Sequence, residues 1–431
     1  MCGGCHQLKI LLLLKKNKVV NVKVEKELKS LPLPTIYKRE GKDCYYDPYR
    51  KKLIEITPEE TVRQRVAAYF EQVCGVPHEM IVLEAPLSNY VEGAVGRADI
   101  VIHGYEKDTD SFYPLAIIEC KKEDVFLTDR VVDQAMRYCD VLCGQYFVIT
   151  NGIDMRMYAY HEEKDAYARM EEILSYRQML NDKPELPKYT DEKLQRFSIK
   201  DLKNQGLLWA YNEQSEWIFG EDSGPRVRRF AVNFYQALLD TDHRLPAKKF
   251  KTFEMQEDCG LRFMDYSNAG GGHYVGVYRS FLVKDRCNEA QMVSVSIFGT
   301  DSSFRDEHRG SYTSLVVAID RFKTSHNALQ YNVDRYAWVY PNGIIKFLHS
   351  GRIGSFKCTD VLDMVEKNGD CVKVTDGSIE LGVLHINKLL YLDNPETANF
   401  IYRLIEYALL REEVRRVVKK TKKDKETVDT K

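Results

Sequence analysis

The chain has 431 residues, 44% hydrophobic and 29% charged, the composition of an ordinary soluble globular protein of two or three domains. A formal net charge of −1 excludes a global pull on nucleic acid, so any such binding has to come from a local basic groove. The 11 cysteines are odd in number and scattered, and no secretory signal precedes them, a pattern of free thiols in a reducing cytoplasm and not of a disulfide framework.

Residues 1–30 carry no clear core pattern and read as a poorly ordered extension. Cys2-Gly3-Gly4-Cys5-His6 matches the C-x-x-C-H pattern of covalent haem attachment, but that chemistry needs export. A zinc knuckle would need two further ligands at close spacing, and none follow; a redox role predicts visible absorbance in the purified protein. The aliphatic run 10–14 ends at Lys15 and Lys16 and is too short to span a bilayer, so no membrane partner is expected.

Leu31-Pro32-Leu33-Pro34 opens an extended segment, with short strands predicted over 36–39, 44–47 and 52–56 and a turn at Asp47-Pro48. Thr57-Pro58-Glu59-Glu60 is a strong helix start: Thr57 caps, Pro58 suits the first helical position and Glu60 completes a capping box. This helix runs to about Cys74, burying Val62, Val66, Tyr69, Phe70 and Val73, while Glu60, Arg63, Gln64 and Ala67 occupy another face. Residues 80–83 read as a strand, 88–96 as a loop with Gly93 and Gly96, and 97–102 as the next strand, in which Asp99 shares a face with Val101.

Pro114-Leu-Ala-Ile-Ile-Glu-Cys-Lys-Lys122 reads as a buried strand that ends in charge. Alternation puts Ile117, Glu119 and Lys121 on one face and Ala116, Ile118 and Cys120 on the other. Buried charge is costly unless paired or holding a metal; a Glu-Lys pair where the strand meets solvent is the plain alternative. A helix over 128–142 carries Val131, Ala135, Tyr138 and Leu142 on its apolar stripe, with Gln134 and Tyr138 one turn apart, and Gly144 ends it. Strands over 146–150 and 155–160 follow, joined at Asn151-Gly152. The order helix, three strands, helix, two strands implies a parallel pair at the sheet centre.

Arg97-Ala98-Asp99-Ile100-Val101, then Ile118-Glu119-Cys120-Lys121, then Gln134-x-x-x-Tyr138, resembles the PD-(D/E)xK nuclease superfamily. The closer resemblance is to the N-terminal nuclease domain of type I restriction enzyme R subunits, shared by Thr57-Pro58-Glu59-Glu60-x-x-Arg63-Gln64 and Val148-Ile149-Thr150-Asn151-Gly152. It covers about residues 31–160; Ala98 departs from the superfamily name, at a position that varies widely. The resemblance implies a restriction-endonuclease-like α/β core, a mixed sheet flanked by helices, and metal-dependent hydrolysis of DNA in restriction or defence against foreign DNA. Two carboxylates from neighbouring strands, Asp99 and Glu119, suit Mg2+ or Mn2+, with the Ile118 or Cys120 carbonyl as a third oxygen. Lys121 would orient or deprotonate the attacking water, or stabilise charge on the phosphate. Glu60 would hold a water or a second ion, and Arg63, Gln134 and Tyr138 would contact the substrate. A complete R subunit also carries an ATP-driven motor, and no G-x-x-x-x-G-K-[ST] loop occurs in this chain, so a stand-alone nuclease or one acting with separate restriction-system subunits is expected. The alternative is a silent nucleic-acid-binding or assembly module on the same fold.

Residues 161–245 read as a helical linker region, with helices near 166–180, 199–209 and 226–240 and prolines at 184 and 187. Arg226, Arg228 and Arg229 at the start of the last oppose its dipole, leaving a phosphate-like anion or plain solvation as readings. Residues 246–418 form a β-rich domain of unknown role, a sandwich or half-barrel ending in a helix from Asn394-Pro395-Glu396. Gly270-Gly271-Gly272 lacks the context of a phosphate-binding loop. The lysine-rich 419–431 reads as a disordered tail.

Overall fold

A computed structural model describes residues 22–162, 165–181, 194–215, 217–267, 273–300, 310–320, 326–354 and 357–429. The C-x-x-C-H run, the prolines at 184 and 187 and the triple glycine lie outside them. Two compact units share the chain, Met1–Tyr37 with Lys42–Asp191 and Lys38–Gly41 with Glu192–Lys431.

The first unit opens with β1 (Val22–Lys23) and α1 (Glu25–Ser30), so part of the expected loose extension is ordered. The reason is packing: Val24 and Leu28 are buried in the same core as α2. Next come β2 (Ile36–Arg39), β3 (Lys42–Asp47) and β4 (Lys52–Glu55), a small three-stranded sheet, and then α2 (Pro58–Gln72). The main sheet is built from β5 (Ile81–Pro86), β6 (Arg97–Glu106), β7 (Ser111–Cys120), β8 (Tyr146–Thr150), β9 (Asp154–His161) and β10 (Ala166–Arg169), with α3 (Asp129–Val141) between β7 and β8. Its order is β1-β9-β8-β7-β6-β5, with β10 added on β9. β7 and β8 are the parallel pair the crossover helix requires, and the remaining neighbours are antiparallel.

The sheet is covered on both faces. Val62, Val66 and Phe70 of α2 pack with Ile100, Ile102, Ala116 and Ile118 on one side. Val131, Ala135 and Cys139 of α3 pack with Val101, Ile117, Phe147 and Ile149 on the other. The helix expected over 166–180 is instead β10 followed by the single turn α4 (Tyr176–Met179), which Ser175 caps. Pairing of 166–169 with β9 satisfies backbone groups that helix propensity alone would have turned inward.

The second unit contains α5 (Gln205–Gln214), α6 (Pro225–Leu239), β11 (Lys248–Lys249), β12 (Phe253–Ser267), β13 (His273–Asp285), β14 (Ala290–Gly299), β15 (Thr313–Ile319) and β16 (His326–Asn332). These strands form an antiparallel meander in chain order. It curls into a half-barrel: the Asn327 side chain donates to the Tyr266 carbonyl at 3.4 Å, and Arg262 pairs with Asp320 at 2.8 Å. The chain continues as α7 (Val333–Tyr336), β17 (Ala337–Val339), β18 (Ile344–His349), α8 (Cys358–Asn368), β19 (Lys373–Thr375), β20 (Ser378–His385) and α9 (Pro395–Asp429). Phe230 and Phe234 of α6, Phe347 of β18 and Phe400 of α9 stack at the centre of this unit. Helix α9 continues to Asp429, so the lysine-rich segment expected from its composition to be a disordered tail is helical up to that residue. Arg228 lies over the Trp209 ring at 4.6 Å and Arg229 donates to Asn387, so two of the three arginines of α6 have structural partners. Among the described residues no helix is long and apolar enough to cross a membrane.

Candidate active site

The register of β6 on β7 builds the centre of the site. Ile100 lies opposite Ile118 and Val101 opposite Ile117, so one step further brings Asp99 opposite Glu119. Directly opposed residues of an antiparallel pair share a face with Cβ atoms about 5 Å apart. That face is the α3 side, because Val101 and Ile117 belong to the core beneath α3. The Cys120 thiol points into the opposite core, and its backbone N–H turns to Asp99 and donates to Oδ2 at 2.7 Å. Lys121 continues past the strand end, its own N–H held by the Thr150 carbonyl at 2.8 Å. Its ammonium donates to Glu119 Oε1 at 2.5 Å, and Gln134 of α3 donates to the same oxygen at 2.7 Å. Both acids are buried, Asp99 at 8% exposure and Glu119 at 3%.

On the other side of Asp99 stands α2. Thr57 Oγ1 accepts the Glu60 N–H at 3.1 Å, the expected cap. Glu60, Arg63 and Gln64 are spaced to share one helical face. Arg63 donates to Asp99 Oδ1 at 2.7 Å, to Glu60 Oε2, and pairs with Glu84 Oε1 at 2.8 Å. Glu60 Oε1 in turn accepts from Gln64 at 2.8 Å and from Arg50, and Arg50 also holds Asp47. Asp47, Arg50, Glu60, Arg63 and Asp99 thus form a buried line of alternating charge that leads from the β3–β4 turn to the strand pair. Glu84 follows from the β5–β6 register, since Leu83 faces Ile100 and Ala85 faces Ala98. Its backbone is left-handed, with φ 54°, and Arg97 holds its second oxygen at 2.9 Å.

Charge in this pocket is strongly perturbed. Burial, and then the Asp99 charge, push the Glu119 carboxyl up to about 7 against the pull of Lys121. Burial works against the Lys121 charge, but the hydrogen bond and charge of Glu119 outweigh it and raise the ammonium above its usual range. Arg63 is raised in the same way, burial being overcome by Asp99, Glu60 and Glu84. The Cys120 thiol is pushed well up, first by burial and then by Asp99, which leaves it a small apolar core residue. Among the described residues no group of three or more His, Cys, Asp or Glu side chains forms a ready cation cage.

Residues 58–173 match the family model of the type I restriction enzyme R protein N terminus (HSDR_N). This bears out the resemblance carried by the three strands and two helices. No curated protein and no solved structure matches the chain. The matched region holds Glu60, Arg63, Asp99, Glu119, Lys121, Gln134 and Tyr138; Asp47, Arg50 and the whole second unit lie outside it.

Within the matched region Asp99, Glu119, Lys121, Gln134 and Arg63 come together. Glu60 stands one link away, joined to Asp99 only through Arg63. Tyr138 packs instead on the loop before β6: a Cβ on Gly96 would lie 3.2 Å from its ring, and Arg137 sits over that ring at 5.3 Å. Sequence reasoning missed Asp47, Arg50 and Glu84. Gln64 was visible through its spacing to Glu60, whereas the other three reach the site only through strand pairing and a distant turn.

Proposed function

We propose that the first unit is a metal-dependent nuclease that hydrolyses phosphodiester bonds of DNA, acting in restriction or defence against foreign DNA, alone or with separate restriction-system subunits. The single observation that carries the reading is the opposition of Asp99 and Glu119 beside Lys121, within a region similar to the type I restriction enzyme R protein N terminus. The donor chemistry fits a hard divalent cation. Two carboxylates face each other, and the charge of Asp99 raises Glu119, a repulsion that a cation between them would relieve. Asp99 and Glu119 would hold Mg2+ or Mn2+, with a strand-end carbonyl as a further oxygen. Bound there, the ion would offset phosphate charge and make water a stronger nucleophile.

The chain's own groups supply the rest. Lys121, its charge favoured by Glu119 and Asp99, would sit beside the phosphate as a cation and stabilise its negative charge. Gln134 fixes the Glu119 carboxylate, and Arg63 with the Cys120 N–H fixes Asp99. In the reaction the water oxygen bonds to phosphorus, the ester P–O bond breaks, and the leaving oxygen takes a proton.

The second reading, nucleic-acid binding without turnover, has one observation in its favour: both Asp99 oxygens are already engaged by N–H donors. One assay separates the two. Purified protein is incubated with linear and circular DNA in magnesium, in manganese and in chelator. Cutting that needs the metal and is lost in Asp99→Asn and Lys121→Ala, with DNA binding retained, supports the nuclease. Equal cutting by parent and variants overturns the assigned site, and binding without any cutting favours the silent module.

A further inference from the structure

The loop that joins β7 to α3 has a feature the proposed chemistry does not use. It leaves β7 directly after Lys121 and enters the helix whose Gln134 donates to Glu119. Four hydrogen bonds hold its backbone. Val125 N–H donates to the Lys122 carbonyl at 3.0 Å and Thr128 N–H to the Phe126 carbonyl at 3.0 Å. Asn151 and Arg156 side chains donate to the Val125 and Leu127 carbonyls at 2.9 and 2.8 Å. Leu127 is buried, yet Phe126 is 86% exposed, the most exposed aromatic side chain among the described residues.

A ring this exposed contributes almost nothing to the core and is open to a partner. Four residues on, Arg130 sits exposed in the first turn of α3, where a cation opposes the helix dipole. It makes no ion pair among the described residues, and it lies one turn from Gln134, on the same helical face. An exposed ring five residues after Lys121 and an exposed cation one turn before Gln134 are the two parts of a single-strand contact: bases stack on rings, and phosphates are neutralised by guanidinium groups.

We propose that Phe126 stacks on an unpaired base next to the cleaved phosphodiester and that Arg130 takes a neighbouring phosphate. The preferred substrate is then a strand with open bases, such as a single strand, a gap or a frayed end. This rests on the nuclease reading and deepens it.

The test uses the full chain in chelator, with a fluorescein-labelled oligothymidylate and a duplex of equal length, followed by anisotropy over a range of salt. Phe126→Ala is expected to weaken oligothymidylate binding about tenfold, with little change on the duplex and none in the salt slope. Phe126→Trp is expected to restore binding, with quenching of the new indole on addition of the oligonucleotide. Arg130→Gln is expected to reduce the salt slope by about one. Both positions are at the surface, so unchanged melting of each variant confirms folding. Parent-like binding by Phe126→Ala, or equal losses on both DNAs, overturns the inference while leaving the nuclease reading in place. A change in self-association with unaltered DNA affinity overturns it as well, because the ring would then serve a protein contact. A parent protein that binds neither DNA overturns the inference, and the cutting assay in magnesium then decides the nuclease reading separately.

Discussion

Glu119 is the residue whose environment makes the sharpest statement about conditions. Its carboxyl titrates near 4.5 when free and is pushed up to about 7 in the fold by burial and by Asp99. Between those values the folded chain binds more protons than the unfolded one, so metal-free stability falls as pH rises through the window. Melting of the metal-free protein is expected to drop from about pH 4.5 to about pH 7. Glu119→Gln should flatten that part of the profile, and magnesium should raise melting at the alkaline end far more than at the acid end. A profile that is the same in the parent and in Glu119→Gln would show that this carboxyl is not what sets it. At this scale Glu119 and Lys121 were legible because strand alternation is a local rule, while Asp99 and Gln134 were picked out by the resemblance to the PD-(D/E)xK pattern. Glu84, Asp47 and Arg50 were not, because pairing across β5 and β6 and a turn brought against α2 are not written in any short window.

At the scale of elements, α2 and α3 were legible from caps and apolar periodicity, and they differ from expectation only at their ends. The segment 166–169 was misread because helix-compatible residues there are recruited by β9 into a hairpin. The joint between the loop 88–96 and α3 makes a testable element. Gly96 has φ +125°, and an added Cβ would meet the Tyr138 ring at 3.2 Å. Gly96→Ala is therefore strained twice, in its backbone and against a ring on the helix that carries Gln134. It is expected to lower melting and to reduce nuclease activity more than Tyr138→Phe does, as measured by thermal shift and by cutting rate. An unaltered Gly96→Ala would mean that the ring moves freely and does not position α3.

At the scale of the molecule, the two units should respond to different variables. Burial alone would raise the Glu412 carboxyl, but the hydrogen bond and charge of His326, and then Arg415, hold it well below its usual range. Such a group contributes stability above about 4.5, the free value, and loses it as pH falls. Calorimetry is expected to show one transition that weakens on acidification and is spared by Glu412→Gln, and another that magnesium raises. A single transition moving with both variables would contradict that separation. The sequence signalled a β-rich second half, but not the order of its strands or the curl that brings Arg262 to Asp320, since both depend on partners far apart in the chain.

The alternating line from Asp47 through Arg50, Glu60 and Arg63 to Asp99 has a consequence for how this chain can change over time. Losing Arg63 alone leaves Asp99 and Glu84 without their shared cation and Glu60 held only by Arg50 and Gln64, at a cost of about 3–5 kcal/mol for a broken buried pair. Losing Glu60 afterwards returns the line to its original net charge, so Glu60→Gln with Arg63→Gln should be more stable than Arg63→Gln alone, and a double-mutant cycle would record the sign of that epistasis. Drift across this turn and helix is thereby expected to be canalised, with neighbours along the line replaced together more readily than singly.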